Sequence, residues 1–131
     1  MLKFIPIALA AVLSAAISLA GIAANAGPVA TGTFTGASDH ITTGSVEIVA
    51  NADGSHTIVL GDDFSLDGAP DPRVGLGKNG YYDGNTDSGK LLNLTGSQSF
   101  TVPAGVDISD FNEVYIWCEK FSVPLGFAVL G

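Results

Sequence analysis

Between Ser45 and Leu60 the chain spells out a hairpin. Ser45-Val46-Glu47-Ile48-Val49-Ala50 alternates polar and apolar residues, Asn51-Ala52-Asp53-Gly54 turns, and His56-Thr57-Ile58-Val59-Leu60 returns. A period of two puts every apolar side chain on one face of a strand and scatters them around a helix. Gly54 supplies the positive φ that the turn needs. Similar short runs follow at Arg73 to Leu76, Leu91 to Leu94, Gln98 to Val102, Glu113 to Phe121 and Val123 to Leu130. Pro70 and Pro72 fix an extended approach to the first of them, and Thr95-Gly96 breaks the second from the third. Pro124, which has no N–H to give, predicts that the last strand lies at an edge. Tyr81 to Gly89 reads as a polar loop, and Pro103 to Phe111 as a connection with one helical turn from Ser109. The spacing predicts an all-β fold: a single antiparallel β-sandwich, jelly-roll-like or barrel-like, of about seven or eight strands.

The first 26 residues belong to a different pattern. Lys3 is followed by the uncharged run Phe4 to Leu19, and Ala24-Asn25-Ala26 offers the small residues of a cleavage site. This predicts a signal peptide over 1–26, cut after Ala26, and a secreted or periplasmic domain over 27–131 with no membrane attachment. Retention as an anchor is the alternative, since the run nearly suffices to span a bilayer. Without Lys3, four cations face 13 acidic residues, leaving about −9 with histidine neutral. That surface repels phosphate backbones and excludes nucleic acid as a partner.

Cys118 is the chain's one cysteine, so no internal disulfide exists. It is a buried inert thiol, half of an intermolecular disulfide, or a reactive or ligating sulfur. Alternation places Val114, Ile116 and Cys118 on one face, taken as the core face, and Tyr115, Trp117 and Glu119 on the other. Burial among aliphatic side chains would make the thiol unreactive. A c-type haem needs a second cysteine and an adjacent histidine. Blue copper wants two histidines and an axial methionine, and the only methionine is Met1. Structural zinc wants four ligands. His40 reads as a hydrogen-bonded structural histidine that could also serve as a ligand, and His56 as an exposed hairpin residue. Asp83, Asn85 and Asp87 have the spacing that opens a calcium loop, but Leu94 stands where the closing glutamate belongs. Exposed Tyr81-Tyr82 beside acidic residues would suit a sugar. No hydrolase or transferase constellation is present.

The order Gly32-x-Phe34, His40, Gly44, Leu60-x-x-Asp63-Phe64, Gly68-Ala69-Pro70-Asp71, Gly96-x-Gln98, Val102-Pro103, Val114-Tyr115-Ile116-Trp117-Cys118 and Phe121-x-Val123-x-x-Gly126-x-Ala128 resembles the DM13 domain over nearly the whole of 27–131. The resemblance implies an all-β extracellular module with a proposed role in electron transfer, a family often found beside DOMON domains. It carries over Cys118 as the redox residue, either as a thiol or as ligand to a group such as haem. Trp117, His40 and Asp71 are neighbouring candidates beside it, Trp117 as a packing residue rather than a reactant, and the expected partner is a separate redox or DOMON-type protein. The expected function is that of an electron-transfer module, not an enzyme with its own substrate. The competing expectations are a carbohydrate or calcium-binding module on loops such as Tyr81 to Gly89, and a structural or adhesive domain.

Overall fold

The computed structural model describes residues 27–131; the expected signal peptide lies outside the described residues. Eleven strands follow in order: β1 (Gly27–Gly36), β2 (Thr42–Thr43), β3 (Ser45–Ala50), β4 (His56–Leu60), β5 (Ser65–Leu66), β6 (Pro72–Lys78), β7 (Tyr81–Asp83), β8 (Gly89–Lys90), β9 (Gln98–Thr101), β10 (Glu113–Cys118) and β11 (Val123–Val129). One antiparallel sheet runs β7-β6-β10-β11-β1-β3-β4-β9, with β8 added to β6 and β2-β5 forming a separate pair. The sheet curls into a half-barrel, so the expected all-β fold takes its barrel-like form. The hairpin from Ser45 to Leu60 is present, with Ile48 opposite Ile58 and Val46 opposite Leu60.

Alternation decides what the curl encloses. Phe34, Val46, Ile48, Ile58, Leu60, Val74, Leu76, Val114, Ile116 and Ala128 point inward from the main sheet, Leu66 closes the core from the β2-β5 pair, and Phe64, Leu91 and Val102 close it from the connections. Burying each large aliphatic or aromatic side chain contributes about 1.5–3 kcal/mol before entropy is charged. Phe34 and Phe64 meet edge-to-face, with ring centroids 5.5 Å apart.

Four departures from the sequence reading have physical causes. Pro124 is not at an edge, because β11 lies between β10 and β1. The register slips from Ile116↔Gly126 to Trp117↔Pro124, and this bulge absorbs the missing donor. Leu91 to Leu94 is not a strand. There the side-chain amide of Gln98 substitutes for a neighbouring backbone, accepting from Leu92 N at 2.9 Å and Asn93 N at 3.1 Å and donating to Asn93 O at 2.8 Å. Tyr81 to Gly89 is built, not loose. Asn79 (φ 52°) and Gly80 (φ 93°) form a two-residue hairpin turn into β7, and a 3-10 turn (Gly84–Thr86) buries Thr86. His56 is half-buried rather than exposed.

Candidate functional site

β10 separates its side chains cleanly. Val114, Ile116 and Cys118 face the core, and Cys118 is a free thiol only 1 % exposed. The backbone of Pro72 flanks it on one side and that of Val123 on the other. The strand is tied down just beyond it, where Glu119 N donates to Asp71 O at 3.0 Å. Asp71 in turn accepts from Arg73 Nε at 3.0 Å, and Arg73 Nη1 reaches Asp87 at 3.3 Å. The Arg73 guanidinium holds the Asp71 carboxyl below the usual carboxylate range.

The opposite face of the same strand is aromatic. Trp117, half-buried, stacks on Tyr82 with centroids 4.4 Å apart and planes 15° from parallel. Tyr82 tilts against Tyr115 at 5.7 Å, and Tyr115 stacks on Phe127 at 5.8 Å. The row thus crosses from β7 over β6 to β10 and β11. Glycines in β6 make room for it. A Cβ on Gly75 would come within 2.8 Å of the Tyr82 ring, and one on Gly77 would collide with the Tyr115 ring. The Tyr115 hydroxyl donates to Glu113 Oε1 at 3.2 Å, and burial with the Glu113 charge pushes its pKa up to about 12. The Tyr82 hydroxyl is buried without a hydrogen-bond partner among the described residues. Burial, reinforced by the charges of Asp87 and Glu119, drives it far above the ordinary phenol range.

The remaining sequence candidates serve local structure. His40 Nδ1 meets Asp67 at 2.8 Å, and Ile41 N donates to the same carboxylate at 3.0 Å, clamping β2 to the exit of β5. Asp83 accepts from Asn85 N at 2.9 Å to cap the 3-10 turn, and Asp87 accepts from Gly89 N at 2.9 Å while its other oxygen takes Arg73. Asp83, Asn85 and Asp87 therefore do not converge on a common centre. Among the described residues no group of three or more His, Cys, Asp or Glu is placed to hold a metal ion. The principal surface grooves are lined by other residues than Cys118. A haem with Cys118 as axial ligand does not fit the closed fold, because its plane would need the space that the core occupies.

Sequence reasoning placed Cys118 and Trp117 on opposite faces but did not bring Tyr82 to Trp117. The signal for that was the Asn79-Gly80 dipeptide, a strong hairpin pair. It folds β7 back on β6 and sets Tyr82 opposite Gly77.

A family model described as electron transfer DM13 matches residues 33–130. No curated protein matches the chain, and no solved structure does.

Proposed function

The chain belongs to the DM13 family of electron-transfer domains, and from that premise we propose an exported electron carrier whose working group is the stacked Tyr82–Trp117 pair, half open at Trp117 and backed by the buried Tyr115 and by Phe127, with Cys118 held behind it. The observation that carries this reading is the division between adjacent residues. The sulfur of Cys118 is enclosed in the core, while Trp117 is half open and stacked. Thiol–disulfide exchange needs a partner sulfur in direct contact with the attacked one, which the closed strand end denies. An aromatic ring can give up an electron without any bond breaking. In the proposed cycle one electron passes from the Tyr82–Trp117 pair to a strongly oxidising one-electron acceptor, a high-valent metal centre on a separate protein. A reduced metal centre returns one electron, and both rings end as they began. The net charge of about −9 without the leader (13 acidic residues against four cations) favours a partner with a basic docking surface. Export rests on the leader-like sequence before Gly27.

The test is flash photo-oxidation of the purified protein, with the radical identified by electron paramagnetic resonance. The hole should settle on the Tyr82–Trp117 pair, Trp117→Phe should remove that signal, and Cys118→Ala should leave it. Loss of the radical in Cys118→Ala with retention in Trp117→Phe would overturn the aromatic assignment and make the thiol the redox group.

A further inference from the structure

The side chain next to Tyr82 is as exposed as its neighbour is confined. Tyr81 is 81 % exposed, yet its backbone is rigidly placed. Lys78 pairs with Tyr81 across the Asn79-Gly80 turn. Gly80 N donates to Glu113 Oε1 at 2.9 Å, and Asn79 exchanges hydrogen bonds with Asn112 at 3.1 and 2.9 Å. An aromatic ring fixed in water on a pinned hairpin is a preformed contact surface that pays little further ordering entropy on binding.

Alternation along the hairpin puts Lys78, Tyr81 and Asp83 on one face. Asp110 and Phe111, from the 3-10 turn Ile108–Asp110 and its cap, form the facing wall. Together with Tyr82 and Gly84 they line a groove of about 530 Å³, within the size range of small-ligand sites. Its polar groups are not spent on one another. The ion pairs among the described residues join His40 to Asp67, Arg73 to Asp71 and Asp87, and Lys90 to Asp71, and none includes Lys78 or Asp110. The groove thus offers a flat apolar face, carboxylate acceptors on both walls and an ammonium donor.

We propose that this groove binds a neutral carbohydrate. The C–H face of a pyranose packs on an aromatic ring. Vicinal hydroxyls, each donor and acceptor, match Asp83 and Asp110 as acceptors and Lys78 as donor. The chain's negative charge disfavours uronic or sulfated sugars. The groove shares Tyr82 with the stack on Trp117, but the sugar contact rests on Tyr81, Asp83, Asp110 and Lys78, so it stands or falls independently of the electron-transfer reading.

The test is amide and side-chain NMR of the whole domain titrated with neutral oligosaccharides (cello-, malto-, manno- and xylo-trioses), repeated with calcium chloride alone. The expected result is saturable shifts confined to Lys78–Gly84 and Asp110–Phe111 with at least one sugar. Tyr81→Ala should weaken that binding at least tenfold with the spectrum otherwise native, Tyr81→Phe should largely preserve it, and Asp110→Asn should weaken it. No saturable shift with any of the sugars would overturn the proposal. So would binding unchanged in Tyr81→Ala, shifts centred on Trp117, or a response to calcium alone.

Discussion

Tyr82 and Trp117 lie face to face, 4.4 Å between centroids, although 35 positions of chain separate them. They meet because the Asn79-Gly80 turn folds β7 onto β6, β6 pairs with β10, and Gly75 leaves the space beneath the Tyr82 ring. The stack costs Tyr82 a hydrogen bond, since its hydroxyl has no partner among the described residues. Such a cost is borne only where the ring contact and the burial around it are worth more.

Trp117→Ala should therefore lower the unfolding free energy by about 2 kcal/mol, through lost burial and lost stacking. A double-mutant cycle with Tyr82→Ala should show a coupling of about 1 kcal/mol. Urea unfolding of the four proteins measures both. Strict additivity would mean that the two rings are neighbours without interaction.

Cys118→Ser should destabilise the fold by about 1–3 kcal/mol, because a hydroxyl replaces a thiol among apolar neighbours with no new acceptor built for it. Cys118→Ala should cost less than that upper figure, removing one buried atom. In parallel, the native thiol should be silent to a bulky disulfide reagent and should titrate as one group per chain in denaturant. Rapid native reaction would show that the turn beyond Cys118 opens readily.

Gly126→Ala should be among the most damaging single-atom additions available. A Cβ there would lie 2.6 Å from Thr42 Cβ and 2.7 Å from its hydroxyl, and Thr42 is the buried donor to Leu125 O at 2.8 Å. Overpacking of this kind costs about 1–3 kcal/mol, with the broken hydrogen bond in addition. Thermal denaturation of the variant beside Gly54→Ala, where a Cβ meets nothing within 4 Å, separates crowding from backbone strain at a turn.

Acid should weaken the fold in a defined window. Asp63 accepts from both the backbone N–H and the hydroxyl of Ser45, and Asp67 accepts from Ile41 N and engages His40. These bonds hold both carboxyls below their ordinary pKa in the folded protein. A depressed folded value means that the stabilisation is complete above the unfolded value of about 3.9 and is lost as pH falls through the folded one. The melting midpoint should drop on acidification below about pH 4. Asp63→Asn and Asp67→Asn should each lower it near neutrality and flatten the acid limb, as scanning calorimetry across that range would record.

The strands that the sequence displayed best were those with one face buried and one wet. Ser45 to Leu60 was legible as a hairpin because Val46, Ile48, Ile58 and Leu60 alternate without interruption, and the burial of Cys118 followed from the same parity. What escaped depended on contacts that no local pattern carries. Leu91 to Leu94 has strand-like composition, but the Gln98 amide caps its backbone. Pro124 reads as an edge residue, but a bulge tolerates it inside the sheet. The aromatic row was invisible because its members come from three strands joined in non-sequential order, and an outward-facing aromatic on a strand normally signals nothing more than an open surface. The DM13 resemblance drew attention to Cys118 and Trp117, and Tyr82 read only as an exposed loop residue suited to a sugar; its stacking on Trp117 came into view with the topology.

The placement of β1 between β11 and β3 bears on how the chain comes to life. A sheet in which β1 waits for β11 cannot be completed until synthesis has passed residue 129. Until residues 123–129 arrive, β10 lacks one neighbour and β1 lacks another, and the thiol of Cys118 is open to whatever oxidant surrounds it. Assembly is therefore a late, long-range event that is slow relative to hairpin formation, and its final step is also the one that puts the sulfur out of reach. A truncated or stalled chain would present both a raw sheet edge, a template for aggregation, and an uncovered cysteine.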